Sequence, residues 1–252
     1  MSRILWSNVL VPDDDREEQA YSNEYYGDSI NIQRTKRLPI EEKSASLPDR
    51  KVYRSMSRTG VLLSLVCLDG QSFVKPLVDR SPFSVGMYCA LENGPVDLQS
   101  AKKMHCVSRD DFPEEYRKHH NPKMYLKLLP NLAAAQLGIF LGIMGPLNVY
   151  NNSTHGSIHA LQQAEMDLEE NKIDAALVCS AFSFENPLTV ERVNRQNLHD
   201  RTLCEGAGAL LLTSDGRFSN WKNLDYEDTE SYFGISHQII IQTLSKGGIN
   251  VY

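Results

Sequence analysis

The sequence lacks the features that would place it across a membrane, on a nucleic acid or around a metal. No apolar run approaches the roughly 20 residues needed to span a bilayer, and the mean hydropathy is −0.37. Basic charge is not in excess: 26 Lys and Arg stand against 32 Asp and Glu, a net charge of −6. A nucleic-acid binder would show a basic footprint instead. The amino terminus, Met1-Ser2-Arg3-Ile4-Leu5-Trp6, is not read as a signal peptide, because Ser7 and Asn8 cut the apolar stretch short. Five cysteines, at 67, 89, 106, 179 and 204, include no closely spaced pair of zinc or redox type. Cys67 and Cys179 lie in apolar runs and read, with most of the others, as buried thiols of a reducing cytoplasm. No cofactor is expected. The histidines of Arg117-Lys118-His119-His120 have no cysteine or carboxylate spacing that completes a metal site. There is no internal repeat, no low-complexity tract and no GxSxG nucleophile elbow.

What is present is ordinary globular composition, 41% hydrophobic and 23% charged over 252 residues, read as one domain. Arg3 to Val11 is expected to be a strand. The polar stretch from Pro12 to Arg50 reads as a long surface loop or arm, with Tyr21, Tyr25 and Tyr26 as anchors. Ser55 to Leu68 suits a mostly buried helix, and Ser84 to Cys89 a core strand. Residues 92 to 122 are polar, with a helix-like segment from Pro95 to Met104. Asn131 to Leu141 reads as a helix ended near Gly142, and Gly145-Pro146 as a turn. Leu147 to Tyr150 is a short strand, followed by Asn151-Asn152-Ser153-Thr154-His155-Gly156, a loop rich in helix-capping residues. A helix from Ser157 to Asn171 and a strand from Asp174 to Ala181 come next. Gly206-Ala207-Gly208 leads into a strand, Ala209 to Thr213. A strand rather than a helix follows these glycines, so they are not a phosphate cradle. Alternating strands and helices imply an α/β layered fold.

The ordered set Asn131-Leu-Ala-Ala-Ala-Gln, Leu141-Gly-Ile-Met-Gly-Pro146, Ala160-Leu161, Lys172-Ile-Asp-Ala-Ala-Leu-Val178 and Glu205-Gly206-Ala207-Gly208-Ala209-Leu210 resembles the β-ketoacyl synthase family. Val85-Gly86-Met87 is a further match upstream. The resemblance covers about residues 50 to 213 and implies half of a thiolase-like layered α/β sandwich. The family's nucleophilic cysteine stands six residues before the alanine of the Ala-Leu pair. Counting back from Ala160 gives Thr154, a much weaker nucleophile than a thiolate. The family's two histidines come from its second half, and neither His237 nor any other histidine lies in a matching context. The resemblance therefore implies no catalytic residue here, and a chain similar to the chain-length factors that lack the cysteine. Such a subunit pairs with a cysteine-bearing ketosynthase, as in aryl-polyene-type systems, and acts on chains held by an acyl carrier protein.

Mapped residue by residue, the resemblance puts Leu147, Asn148, Val149 and Tyr150 at the dimer interface and Met124, Tyr125 and Leu128 at the acyl tunnel. Each tunnel position reads equally as ordinary core. Arg117, Lys118 and Lys123 form a basic cluster on an acidic chain, either a solvated face or a dock for the acidic carrier protein. Thr154 reads as a helix cap. The alternative is an acyl-transfer or thioesterase-like enzyme using Ser153 or Thr154 with His155, or a stand-alone acyl-binding protein. The helix at 157–171 is expected to be two-faced: Ser157, Ala160, Leu161, Ala164 and Leu168 form one stripe, with His159, Gln162, Gln163, Glu169 and Glu170 off it. That pattern is expected of a chain that is natively half the family's length. The apolar tail residues Phe233, Ile235, Ile239, Ile240 and Ile241 predict docking on the body or on a partner.

Overall fold

A computed structural model describes residues 2–22, 31–40, 47, 56–92, 94, 97–152, 155–184, 186, 188–190, 195, 200–218, 230–234, 237 and 240. The strands are β1 (Ser2–Leu10), β2 (Gln19–Ser22), β3 (Asn31–Lys36), β4 (Val85–Leu91), β5 (Leu147–Tyr150), β6 (Ala175–Phe182), β7 (Thr202–Cys204), β8 (Gly206–Phe218) and β9 (Ser231–Tyr232). The α-helices are α1 (Arg58–Leu68), α2 (Gln71–Arg80), α3 (Leu98–Met104), α4 (Phe112–His119), α5 (Pro122–Leu128), α6 (Pro130–Leu141) and α7 (Gly156–Glu169). A 3₁₀ turn, Pro82–Ser84, leads into β4.

The main sheet has five strands in the order β1-β8-β6-β4-β5. Strands β4, β5 and β6 are parallel to one another, and β8 runs antiparallel to both β6 and β1. β4 and β6 are buried along their whole lengths. That follows from near-continuous runs such as Ala175-Ala-Leu-Val-Cys179, which suit a strand covered on both faces. On one face Met87, Cys89, Leu177, Cys179 and Leu211 pack against Leu62 and Val66 of α1 and Ala134 and Leu137 of α6. On the other, Tyr88, Val178, Leu210 and Leu212 pack against Ala160, Leu161, Ala164 and Leu168 of α7. The helix–sheet–helix layering is the expected α/β class.

Several elements follow from local chemistry. Ser57 caps α1 by accepting the Gly60 N–H at 3.2 Å. Gly142 ends α6 in the left-handed region, φ 72°, where a side chain would be strained. Helix α7 has the two faces read from its sequence. Ser157, Ala160, Leu161, Ala164 and Leu168 are buried, while His159, Gln162, Glu169 and Glu170 are exposed. A buried pin fastens it to the sheet: the Tyr88 hydroxyl donates to Asp167 Oδ2 at 2.6 Å, and Gln163 and Lys172 approach Oδ1 at 3.0 and 3.3 Å. Burial alone would raise the Asp167 carboxyl, but these three bonds hold it below its usual range.

The polar stretch after β1 is not a simple loop. It contributes β2 and β3, an antiparallel pair whose second strand lies parallel to β7 in a four-stranded sheet, β2-β3-β7-β9. Leu38, Ile40 and Leu47 join the main core. The pairing partner of Thr35 is Leu203, far away in sequence, so no local periodicity announces the strand. Tyr25 and Tyr26 lie outside the described residues, as does the side chain of Tyr21. Helices α2 and α4 have no counterpart in the sequence expectations; they are short and carry few buried side chains. Among the described residues no single helix is long and apolar enough to cross a membrane.

The two sheets meet at one carboxylate. Glu205, fully buried between β7 and β8, accepts the Arg58 guanidinium at 2.5 and 2.8 Å, the Leu38 N–H at 3.0 Å and the Ser183 hydroxyl at 3.2 Å. Arg37 Nε stands 3.6 Å away. Removing one partner of a buried pair strands the other charge. Glu205→Gln is therefore expected to lower stability by about 3–5 kcal/mol, read as a fall in the urea midpoint at unchanged m.

Part of the tail docks on the body. Tyr232, His237 and Ile240 are buried, with Ile240 among Tyr88, Ala160 and Leu161. The His237 ring lies 5.8 Å from that of Phe182, and among the described residues neither nitrogen has a hydrogen-bond partner. Ile235, Ile239 and Ile241 lie outside the described residues. Burial pushes the His237 imidazole down to about 4 from its ordinary 6.5, against the pull of Glu92. Between those values the unfolded chain binds a proton that the folded chain does not, so stability falls as pH drops. The loss attributable to His237 is about 3 kcal/mol between pH 7 and pH 4. In urea unfolding across that range, His237→Phe should show a shallower decline than the unsubstituted chain.

Candidate functional site

The parallel arrangement of β4, β5 and β6 sends their carboxyl ends to one side of the sheet, the usual place for a site in such folds. β5 pairs with β4 on one side, Met87 against Leu147 through Ala90 against Tyr150. Among the described residues no strand pairs with its other side. The four residues expected at an interface, Leu147, Asn148, Val149 and Tyr150, therefore form a sheet edge, with Leu147 exposed and the others half-buried. The connection from α6 into β5 adds apolar surface: Ile139 is 77% exposed, Met144 62% and Leu147 41%. A charged gatekeeper, the common protection of a free edge, is absent from Leu147-Asn-Val-Tyr150.

Beyond β5 comes the elbow. Asn152 organises it, accepting the His155 N–H on its side chain at 3.1 Å and the Gly156 N–H on its carbonyl at 3.1 Å. His155 occupies the N-cap position of α7, and its side chain makes no capping bond there. Ser153 and Thr154 lie outside the described residues, and so does any assignment of Thr154 as a cap or nucleophile. The His155 and His159 rings stack 6.2 Å apart, and Tyr150 is 6.2 Å from His159. The sequence reading considered His155 alone; the i, i+4 spacing of His159 was the available signal. The ring contacts given for these imidazoles among the described residues are with each other and with Tyr150. Of the five thiols, four are buried, and the exposed Cys106 follows α3 rather than standing in the elbow.

Met124, Tyr125 and Leu128 are brought together on α5. They line one cavity of about 460 Å³ with Met104, Phe112 and Tyr116, among others. The volume lies within the roughly 300–1,000 Å³ of small-molecule pockets. None of the three is buried core: Tyr125 is 62% exposed and the other two are half-buried. Gly94, whose N–H donates to Leu128 O at 3.0 Å, sits so close to the Lys127 carbonyl that a Cβ would collide with it. A glycine is what lets α5 approach the end of β4.

The basic cluster is less open than its composition implies. Lys118 pairs with Glu114 at 3.0 Å and Glu115 at 2.8 Å, both in the first turn of its own helix, and these carboxylates raise its ammonium. Acids at the start and bases at the end of α4 also complement the helix dipole. Arg117 and Lys123 are exposed, on α4 and α5.

No family model and no curated protein matches the chain. Solved structures do. The AntDE:AntF complex, a type II polyketide synthase acyl-carrier protein with its ketosynthase bound to the hexaketide, matches at a TM-score of 0.62 and 15% identity, over 84% of this chain and 62% of that one. A β-ketoacyl synthase from Burkholderia phymatum matches at 0.62 and 16%, over 84% of this chain and 58% of that one. A ketosynthase, ApeO, in complex with its chain length factor, ApeC, from Xenorhabdus doucetiae matches at 0.57 and 14%, over 86% and 58%. The chain thus has the thiolase-type α/β fold of the β-ketoacyl synthases, over 58–62% of the length of those it matches.

Proposed function

We propose that this chain is a non-catalytic, ketosynthase-like subunit, of the chain-length-factor kind, that pairs with a cysteine-bearing ketosynthase through β5. The observation that carries this reading is the unpaired edge of β5 beside exposed Ile139, Met144 and Leu147. A second strand added antiparallel at that edge satisfies its backbone groups and covers the apolar flank in one step. The match to a ketosynthase solved with its chain length factor supports the same reading. In this arrangement condensation belongs to the partner, which carries the thiolate; the elbow here has Thr154 at that position. Met124, Tyr125 and Leu128 form part of the wall against which a growing acyl chain, delivered by an acyl carrier protein, comes to rest. Arg117 and Lys123, both exposed, are the cations that would meet that acidic carrier.

Co-expression with its ketosynthase should yield a one-to-one complex in size-exclusion chromatography with mass detection. The double substitution Met144→Asp with Leu147→Asp should abolish the complex. It should shift the chain's own stability by only about 0.5 kcal/mol, since both sites are exposed. A chain that stays monomeric beside the ketosynthase overturns the proposal. In the complex, Met124→Ala and Leu128→Ala should lengthen the product while turnover continues; unchanged product lengths would remove the tunnel role.

A further inference from the structure

Among its described residues, the segment that carries α3, α4 and α5 has almost no core of its own. These helices have 7, 8 and 7 residues, well short of the roughly 12–15 that make an isolated helix even marginal in water. Among the described residues of the three, only Met104 is buried. Phe112, Tyr116, Tyr125 and Leu126 stay 45–62% exposed. Where packed side chains would ordinarily join three such helices, there is instead the cavity of about 460 Å³.

Several polar groups at its lining are already hydrogen-bonded within the segment, and one of these bonds, from Ser100 to the His119 carbonyl, joins two of the helices. Asp97 takes the Ser100 N–H at 3.1 Å, and the Ser100 hydroxyl lies 2.7 Å from both Asp97 Oδ2 and the His119 carbonyl. Asn121 caps α5 at Lys123 N, and His120 Nδ1 is bonded to Tyr116 O at 2.9 Å. What the cavity presents to an occupant is apolar: two methionines, whose flexible thioethers adapt to irregular shapes, together with Leu128 and aromatic side chains. A ligand here is selected by apolar area and shape, not by hydrogen bonds.

We propose that a linear hydrocarbon chain occupies this cavity and serves as the missing core of α3, α4 and α5, so that binding and ordering of the segment are one event. This rests on the reading of the cavity as an acyl-chain site. It adds that the site is complete within one chain and coupled to local folding, with no partner subunit required. Apolar area that the segment now leaves to water is covered by the ligand, and the ordering entropy of the three helices is offset only when it is bound.

Hydrogen exchange on the purified full chain tests this, with dodecanol, dodecanoate and S-dodecanoyl-pantetheine as probes. At a probe concentration of about 100 Kd, amides of residues 98–128 should exchange about 100-fold more slowly, with β4 and β6 unchanged. All three probes should act, because the tail is what is recognised. Protection by the pantetheine thioester alone would overturn tail recognition. Binding without slowed exchange would overturn the coupling. If no probe binds and only the ketosynthase protects the segment, the ligand site is overturned while the pairing stands. If the probes protect but no ketosynthase complex forms, the pairing falls and this inference stands. Met124→Glu, which puts a carboxylate in the apolar lining, should weaken dodecanol binding by about tenfold or more. If that variant does not fold, Leu128→Ala, which enlarges the cavity, should shift the preference towards longer alcohols; an unchanged preference overturns the proposal.

Discussion

Glu205 is the point on which this structure closes. Its carboxylate has no exposure, and it is held by Arg58 at the head of α1, by the Leu38 N–H beyond β3 and by Ser183 beyond β6. Its own N–H donates to Lys36 O at 3.0 Å. These partners come from three separate parts of the chain, and one carboxylate ties them to each other. A buried charge is expensive unless it is paired and fully hydrogen-bonded. The consequence is a junction that couples the second sheet to the first core helix. That constraint lets a long polar stretch behave as structure.

From this junction the main sheet extends away to its opposite edge. β4 and β6 are covered on both faces, and each layer of the domain rests on them. At β5 the covering stops. The edge, the elbow after it and the α3–α5 cavity thus lie where the rigid sheet gives way to lightly packed segments. A stable scaffold holding less stable binding elements at its margin is a common division of labour in proteins. Helix α7 shows the same economy of surface, with an apolar stripe on the sheet, a tyrosine–carboxylate pin beneath it, and a wet outer face bearing His155 and His159.

Much of the fold was legible in the sequence, for a physical reason. β4 and β6 are uninterrupted apolar runs, and α6 stops at a glycine that can adopt positive φ. α7 repeats its apolar residues at helical spacing. Each of these is decided within about a dozen neighbouring residues by burial, periodicity and capping. The β3 strand was not legible, because it pairs with Leu203 and Cys204, more than 160 positions away, and β2 in turn pairs only with β3. The short helix α4 was missed because it buries almost nothing.

The candidate site divides in the same way. Residue type and order identified the strand Leu147–Tyr150, and the resemblance to the β-ketoacyl synthases pointed to the threonine at the elbow and to Met124, Tyr125 and Leu128. Only the tertiary structure decided that the strand is an unpaired edge, that Met124, Tyr125 and Leu128 share one cavity with Phe112 and Tyr116, and that Lys118 is engaged by Glu114 and Glu115. It also decided that Glu205 is a buried clamp rather than a surface acid. Sequence determines what a segment prefers by itself, through propensity and pattern. Which groups meet, and which stay uncovered, is set by long-range packing, where the desolvation of one charge or the absence of one neighbouring strand outweighs any local preference.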